Sequence, residues 1–342
     1  MSRAMIVEIS ATALPDMVAA VARRAGTPGQ EAVVVSWPGR TLVVAPATPV
    51  PGAALAALPG VLRVVETGAP FPLAHRDFTA ERTVVRVGGT AIGDGGLTVI
   101  AGPCAVESRD QLAVVASAVA RAGAGVLRGG AFKPRTSPYS FQGLGEAGLL
   151  MMAEERARTG LPIVTEVLRP ADVALVARYA DILQVGTRSM QNFPLLAEVG
   201  RCGRPVLLKR GMAATVQEWL LAAEHILAAG NPEVILCERG IRTFETTSRF
   251  TLDLTAVPVV KRLTHLPVVV DPSHAAGQAY VVAPMALAAA AAGADGIMID
   301  VHGAPETARC DAGQALTPGE FERLAADLER VVAAARMNLS IA

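Results

Sequence analysis

Five basic side chains stand at or just after the ends of short apolar segments of this 342-residue chain. They are Arg128, Lys133, Arg188, Lys209 and Arg239. Arginine offers a bidentate fork for a carboxylate or phosphate, and lysine offers a mobile point charge. The set therefore predicts a pocket for a dianionic phosphate together with a carboxylate. The alternative is a ring of structural salt bridges, for which Glu166 and Glu238 are available as partners.

A thiol, an imidazole and two carboxylates also stand at the ends of these apolar segments or in the loops that follow them. They are Cys104, His274, Asp300 and Asp311. Such a donor set suits a divalent first-row metal such as Mn, Fe, Co or Zn. No short metal-binding motif accompanies it, and a buried cysteine is usually a small hydrophobic residue, so the residue types leave a structural role equally open.

A stiff polar segment follows Gly129-Gly130, with Pro134 and Pro138 on either side of Arg135 and Thr136. Its guanidinium and hydroxyl groups suit a second phosphate, and the alternative is a rigid polar loop. Lysine is rare in the chain, at three of the 31 basic residues. Because an ammonium can supply a proton where a guanidinium does not, Lys133 and Lys209 are candidates for more than charge.

Eight short apolar segments that alternate with helical stretches must position these groups. They read LTVIAG, GVLRGG, LPIVTEV, DILQVG, PVLLKRG, EVILCERG, LPVVVDP and DGIMIDV. Continuously apolar strands are typical of parallel sheets, and eight of them favour a (β/α)8 TIM barrel, whose active site lies where the strands end. The alternative, a doubly wound open sheet, is disfavoured because no Gly-x-Gly-x-x-Gly motif opens the first crossover.

The chain before the barrel divides into two parts. Residues 1–70 alternate as β-α-β-β-α-β, which predicts a small ferredoxin-like α+β domain. Residues 71–96 predict a linker and a β-hairpin that turns at Gly88-Gly89. Residues 97–342 then form the barrel.

The composition excludes several classes of protein. Acidic and basic residues balance at 31 each, so no net charge attracts nucleic acid or an anionic membrane. No apolar run reaches the roughly 20 residues of a membrane span, and no secretory signal precedes the first strand. The four cysteines are widely spaced, without a disulfide framework. We expect a soluble cytoplasmic protein.

The same segments carry a family resemblance from about Thr83 onward. They read AGPCAVES, LRGGAFKPRTSPYSFQGLG, VGTRSMQNF, PVLLKRG, ILCERGIRTFE and VDPSHAAG. In sequence and order they resemble the type I 3-deoxy-D-arabino-heptulosonate-7-phosphate (DAHP) synthases, in the subgroup related to the 3-deoxy-octulosonate-8-phosphate (KDO8P) synthases. The N-terminal unit looks like the regulatory domain of some members. Because the octulosonate enzymes have an Ala-Asn-Arg-Ser type sequence after the lysine, the segment Lys133–Ser137 indicates a heptulosonate enzyme.

The resemblance implies the first step of the shikimate pathway, in which phosphoenolpyruvate condenses with erythrose 4-phosphate. It assigns the metal to Cys104, His274, Asp300 and Asp311, phosphoenolpyruvate to Arg128, Lys133, Arg188, Lys209 and Arg239, and erythrose 4-phosphate to Arg135, Thr136 and Asp271. The catalytic groups are Lys133, Cys104 and His274, with Glu166 a weaker candidate for handling water. An aromatic amino acid effector and a homotetramer are also implied.

The chain departs from the family pattern in two places. Asp300 stands where the family has glutamate, and the Pro-Glu that begins three residues further on is replaced by Gly303-Ala304. Cys310 stands where serine is expected. We hypothesise that oxidation joins Cys310 to Cys104. A different aldose phosphate such as arabinose 5-phosphate, a ligand sensor without turnover, and a Schiff base at Lys209 are the alternatives in function.

Overall fold

The described part of the chain, residues 3–336 of the computed structural model, begins with a four-stranded antiparallel sheet in the order β2-β3-β1-β4. Its strands and helices are β1 (Arg3–Ile9), α1 (Pro15–Ala25), β2 (Val33–Trp37), β3 (Arg40–Thr48), α2 (Gly52–Ala56) and β4 (Val61–Thr67). This succession confirms the ferredoxin-like prediction.

Both faces of this sheet carry apolar side chains. Successive side chains of β1 point to opposite faces, and apolar residues occur at both sets of positions. Met5, Val7 and Ile9 pack in one cluster with buried residues of α1 and α2. Ile6 points the other way and joins the large cluster that includes the barrel. The sheet is therefore covered by its own helices on one side and by the rest of the chain on the other.

Eight parallel strands form a closed barrel, as predicted from the apolar segments, and the open-sheet alternative is wrong. They are β7 (Thr98–Gly102), β8 (Val126–Arg128), β9 (Ile163–Val167), β10 (Ile182–Val185), β11 (Val206–Lys209), β12 (Val234–Glu238), β13 (Val268–Val270) and β14 (Gly296–Asp300). Strand β14 pairs with β7 and closes the ring.

Nine helices accompany these strands within the described residues. They are α3 (Arg109–Arg121), α4 (Glu146–Thr159), α5 (Val173–Tyr179), α6 (Phe193–Arg201), α7 (Val216–Ala228), α8 (Ala256–Leu263), α9 (Pro272–Ala276), α10 (Ala279–Ala291) and α11 (Pro318–Arg336). Their ends follow local sequence signals. A capping box of Thr215 and Glu218 begins α7, and Gly160 in the left-handed conformation ends α4.

A short hairpin fills the end of the barrel where the strands begin. Its strands β5 (Val85–Val87) and β6 (Thr90–Ile92) contribute Val85, Val87 and Ile92 to one buried cluster with a ring of apolar residues, at least one from every barrel strand. The ring consists of Ile100, Val126, Val164, Ile182, Leu207, Ile235, Cys237, Val269 and Met298. Side chains therefore fill the barrel interior at the end where the strands begin, and a cavity is expected at the end where the strands finish.

The N-terminal unit docks at this same closed end. The indole Nε1 of Trp37 donates to the carbonyl of Leu227, at the end of α7, over 2.9 Å. In the linker, the backbone N–H groups of Leu73 and Ala74 donate to the carboxylate of Glu224 at 2.9 and 2.8 Å. These contacts place the unit at the opposite end of the barrel from the strand ends that carry the polar residues.

Candidate active site

The barrel strands position the site through their alternation. A residue two positions after an inward-facing apolar residue also faces inward, one layer nearer the open end. Applied to the buried ring, this rule gives Gly102, Arg128, Glu166, Gln184, Lys209, Arg239, Asp271 and Asp300. An apolar layer therefore supports a polar layer, and five of the predicted binding residues, together with Glu166, belong to the latter.

One cavity of about 260 Å³ collects the predicted anion-binding residues. Its lining includes Arg128, Lys133, Arg135, Thr136, Arg188, Lys209 and Arg239, together with Glu166, Gln184, His274 and Asp311. Four of these cations are almost completely buried, whereas Arg188 is exposed on the turn after β10. Such a concentration of cations around a small cavity fits a ligand with several negative charges.

Aspartates, and not the glutamates of the salt-bridge alternative, neutralise part of this charge. Arg128 forms an ion pair with Asp300, and Lys209 Nζ lies 2.5 Å from Asp271 Oδ2. Glu238 instead pairs with Arg210 at 2.8 Å. Burial opposes the charge of Arg128, but Asp300, Cys104 and Asp271 together outweigh burial and raise the pKa of the guanidinium. Asp271 is fully buried, so it holds its neighbours and does not line the cavity.

Glu166 also lacks a basic partner among the described residues. Gln184 Nε2 donates to its Oε2 at 3.2 Å. Its other oxygen faces Gly186, where an added Cβ would lie only 1.9 Å from Oε1. The carboxylate is therefore held in the wall of the cavity by close packing and one amide.

Arg239 has no carboxylate partner in residues 3–336. Its Nη2 donates to the carbonyl of His274 at 3.1 Å, while its buried Nη1 has no partner. The Cζ atom lies 4.1 Å from the ring centroid of Phe250, which stacks against it. Since a buried donor without a partner is unfavourable, Arg239 is prepared to bind an anion in the cavity.

The predicted metal ligands also meet. Cys104 Sγ lies 3.7 Å from His274 Nε2 and 3.2 Å from Asp311 Oδ2, and the last two atoms are 3.9 Å apart. Ligand atoms about 2.0–2.3 Å from one tetrahedral metal are separated by roughly 3.3–3.8 Å. The spacing and chemistry of this thiol, imidazole and carboxylate therefore fit a divalent first-row metal.

Asp300 is placed differently. It is within 4.8 Å of both Cys104 and His274, yet its Oδ2 faces Nδ1 of the imidazole, 3.6 Å away, and not Nε2. Its two oxygens are engaged by Arg128 and by Gln314, whose Nε2 donates to Oδ2 at 2.6 Å. Asp300 is thus near the metal ligands but already has partners.

Two buried aspartates act on the imidazole of His274. Burial opposes its charge, but Asp271, whose Oδ2 lies 2.9 Å from Nδ1, and Asp300 outweigh burial and raise the pKa of His274.

Asp311 is the one non-glycine residue of the described chain with positive φ, at 51°. A strained backbone at a predicted ligand agrees with a functional constraint, because such strain clusters at active sites.

Two thiols lie beside each other at this point. The Sγ atoms of Cys104 and Cys310 are 3.6 Å apart, and both are free. Arg135 Nη1 approaches Cys310 Sγ to 2.5 Å, and Lys133 Nζ lies 3.2 Å from Cys104 Sγ. The hydrogen bond to Cys310 and burial raise the pKa of Cys104 well above its usual value. The thiol pair connects the metal ligands to the basic residues.

Comparison with known proteins decides the family. Residues 77–335 match the DAHP synthetase I family, three quarters of the chain. The chain belongs to this family. Phospho-2-dehydro-3-deoxyheptonate aldolase of Thermotoga maritima is 49% identical to it over 271 residues, 79% of either chain. A crystal structure of the DAHP synthase from that organism is 42% identical, with a TM-score of 0.78, and covers 97% of this chain and 98% of its own.

The octulosonate enzymes are more distant relatives of this DAHP synthase family member. A 2-dehydro-3-deoxyphosphooctonate aldolase of Syntrophobacter fumaroxidans is 31% identical over 246 residues, 67% of this chain and 84% of that protein. These findings confirm the subgroup and identify the chain as an enzyme. No helix within residues 3–336 is long and apolar enough to cross a bilayer.

Sequence reasoning missed four residues of the site. They are Gln184, Arg249, Phe250 and Gln314. The alternation rule would have found Gln184, which lies two residues after Ile182 of the buried ring. The others lie on long loops after the strands, where no period indicates which side chain turns inward.

Proposed function

We propose that this chain condenses phosphoenolpyruvate with erythrose 4-phosphate to give DAHP and phosphate, using one divalent metal (Mn, Fe, Co or Zn). The observation that carries the proposal is one cavity lined by basic side chains together with His274 and Asp311, both of which Cys104 contacts. The family and the Thermotoga relative name this chemistry. The cavity supplies binding groups for two phosphorylated substrates.

Phosphoenolpyruvate fits the deep part of the cavity. Arg239 presents a buried donor without a partner, Lys209 lies beside it at a strand end, and Arg188 adds an exposed cation at the rim. Arg128 would turn from Asp300 towards the ligand or bind it alongside. Arg135 and Thr136, on the loop after β8, would hold the phosphate of the aldose, and Asp271 would orient the site through its contacts with Lys209 and His274.

The metal would be held by Cys104, His274 and Asp311, with Asp300 as the expected further ligand. When bound, a divalent ion supplies Lewis-acid polarisation of the aldehyde carbonyl. The sulfur of Cys104 and the carboxylate of Asp311 both lie near Nε2 of His274, and the aldehyde would lie on this side of the cavity.

Lys133 is the candidate proton donor to the new hydroxyl. It is 7% exposed, and its ammonium donates to the carbonyl and sulfur of Cys104 at 3.0 and 3.2 Å. Burial opposes its charge, but the neighbouring sulfurs outweigh burial and raise its pKa, so the group stays protonated. C3 of phosphoenolpyruvate would attack the aldehyde, and water would add at C2 with Glu166 as the weaker candidate to accept its proton. The C2–O bond to phosphate would then break as the new C2 hydroxyl becomes the ketone.

The test is phosphate release from both substrates by chelator-stripped protein, with and without added Mn²⁺. We expect release that depends on the metal. Phosphoenolpyruvate binding without release, from folded protein with any divalent ion, would instead support a ligand sensor. A Schiff base at Lys209 predicts covalent labelling after borohydride, and the buried ion pair with Asp271 argues against it because it engages the amine.

The aldose is tested separately. The Lys133–Ser137 segment and the 49% identity to a heptonate enzyme, against 31% to an octonate enzyme, favour erythrose 4-phosphate. We expect a clear preference in kcat/KM over arabinose 5-phosphate. The reverse preference would move the chain to the octulosonate reaction.

Regulation, assembly and location are proposals of the same kind. The N-terminal unit would bind an aromatic amino acid, the chain would form a homotetramer, and the enzyme would act in the cytoplasm. Deleting residues 1–70 should abolish inhibition by tyrosine or phenylalanine. Unchanged inhibition by both would remove the allosteric role. Light scattering of the full chain would measure the assembly.

A further inference from the structure

Cys310 has no part in the function proposed so far, although it lies inside the site. Its side chain is buried, with 3% of the residue exposed. Its Sγ lies 3.6 Å from Cys104 Sγ and 3.5 Å from Asp311 Oδ2. A second thiol next to two proposed ligands of a first-row metal is itself a suitable donor.

Most of the distances fit one coordination site. Five of the six separations between the donor atoms of four residues lie between 3.2 and 3.9 Å. The four residues are Cys104, Cys310, His274 and Asp311. Donors bound to a common tetrahedral metal are roughly 3.3–3.8 Å apart, so a metal among them requires mainly that the side chains of Cys310 and His274 approach each other.

We propose that Cys310 binds the metal of this enzyme as a second thiolate, in the place expected for Asp300. The site then consists of Cys104, Cys310, His274 and Asp311. This inference rests on the proposed metal-dependent function and specifies which residues of this chain hold the ion.

Asp300 is held by other partners. Its Oδ2 lies 3.6 Å from Nδ1 of His274, whereas the donor atoms of Cys104 and Asp311 lie near Nε2. Arg128 binds its Oδ1, and Gln314 donates to its Oδ2. To bind the ion, Asp300 would give up the hydrogen bond from Gln314 or the ion pair with Arg128, and a buried cation without its partner is strongly unfavourable until a substrate anion replaces it.

Basic residues offset the charge of a second thiolate. Arg135 Nη1 lies 2.5 Å from Cys310 Sγ, and Lys133 Nζ lies 3.2 Å from Cys104 Sγ. Two thiolates and one carboxylate around a divalent ion leave one net negative charge, and these two cations stand against the sulfurs. An anion of this kind next to Arg and Lys is stabilised by charge-assisted hydrogen bonds.

A second thiolate changes the preference among metals. Thiolate ligands favour Zn²⁺ and Co²⁺, whereas carboxylates suit Mn²⁺. The protein should therefore bind Co²⁺ and Zn²⁺ with much higher affinity than Mn²⁺, and Cys310→Ser should reduce this difference in affinity.

The test is titration of the chelator-stripped full-length protein with Co²⁺, without substrates, while the near-ultraviolet sulfur-to-cobalt absorbance is recorded. That absorbance grows with the number of bound thiolates. We expect Cys310→Ser to lower the absorbance per bound ion about twofold and to weaken Co²⁺ binding about tenfold or more, since even residues that only orient a ligand cost 10–100-fold.

Two matched variants complete the design. Cys202→Ser removes a half-buried thiol at the end of α6, outside the site, and should leave spectrum and affinity unchanged. Asp300→Asn should keep the full absorbance per bound ion. An unchanged spectrum in Cys310→Ser would overturn the proposal, and so would a folded Asp300→Asn protein that loses more Co²⁺ affinity than Cys310→Ser. Circular dichroism verifies folding.

The outcome is independent of whether the proposed reaction occurs. Absence of phosphate release by the wild-type protein would refute the function while the cobalt spectrum still counts the thiolates. Conversely, an active wild type whose spectrum does not respond to Cys310→Ser would keep the function and remove Cys310 from the metal.

Discussion

Replacement of Arg239 by lysine tests how the cavity binds phosphoenolpyruvate. The side chain is buried, with Nη2 committed to the carbonyl of His274 and Nη1 without a partner. Arg239→Lys keeps the positive charge and removes the fork, so one ammonium cannot contact both the carbonyl and the ligand in the same directions. Arg188→Lys is the matched control, because it makes the same exchange at an exposed cation of the same cavity.

The burial of the two residues sets the magnitudes. Loss of a charge-assisted hydrogen bond from a buried group costs about 1.5–3 kcal/mol, which corresponds to roughly 10- to 150-fold weaker binding. The stacking of Phe250 on the guanidinium, at 4.1 Å, is also weakened by the smaller, rounder ammonium. At Arg188 solvent screens the charge, and the expected loss is about 1 kcal/mol at most, or roughly fivefold.

The assay is isothermal titration of chelator-stripped protein with phosphoenolpyruvate alone, so that neither metal nor aldose affects the comparison. We expect the wild type and Arg188→Lys to bind within about fivefold of each other and Arg239→Lys to bind at least tenfold more weakly. Binding by Arg239→Lys within about twofold of wild type would refute the role of the unpaired Nη1. Equal losses in both variants would show that charge alone, without burial, determines affinity.

Three further predictions follow from other parts of the structure. Gly186→Ala is compatible with φ of −71° but displaces the Glu166 carboxylate, so kcat for phosphate release should fall about 100-fold with little change in phosphoenolpyruvate affinity. Burial raises the pKa of Glu224 to about 7 from 4.5, so its ionisation destabilises the protein as pH rises through this range. Relative to Glu224→Gln, the wild type should lose up to about 3 kcal/mol of unfolding free energy, measured with urea, between about pH 5 and pH 8, and less where solvent reaches the group. A difference between the two proteins that stays constant with pH would contradict this. Peroxide should join Cys104 to Cys310 in stripped protein and much less in Zn²⁺-loaded protein, as measured by mass spectrometry of peptides, and absence of the cross-link in both would exclude it.

The barrel and the residues of its polar rim are readable from the sequence because they depend on local properties. Strands buried on both faces are continuously apolar, and the chain shows eight of them. Polar residues at the ends of these strands then lie together at one end of the barrel, whatever the details of packing. Hence Arg128, Lys209, Arg239, His274 and Asp311 were all identified and lie around one cavity.

The pairing of charges was not predictable in the same way. Asp300 is 172 residues from Arg128, and Asp271 is 62 from Lys209, so each pair depends on the order of strands around the barrel and on side-chain rotamers. Glu166 and Glu238 were the partners named for the salt-bridge alternative, because they end strands as the cations do. In the structure Glu238 pairs with Arg210, which does not line the cavity.

The docking of the N-terminal unit also depends on distant contacts. The fold of residues 1–70 follows from their alternation, but its position depends on single groups such as the Trp37 indole at Leu227 and the Glu224 carboxylate beneath the linker. Neither has a sequence signal. Since the unit sits at the closed end of the barrel, any effect of an effector on the site within one chain would have to pass along the strands or through the linker.

The two departures from the family pattern are best understood together. An aspartate is one methylene shorter than glutamate, and at position 300 it stays with Arg128 and Gln314, away from the Nε2 side of His274. A site that only lost a ligand would be left with three donors. The cysteine at position 310 stands at 3.5–3.6 Å from two of them, so under the proposed coordination it supplies the fourth donor. Considered alone, the aspartate removes a ligand and the cysteine has no role in the proposed reaction. Under the proposal, the two substitutions together exchange a carboxylate for a thiolate and give a four-donor site with a softer metal preference.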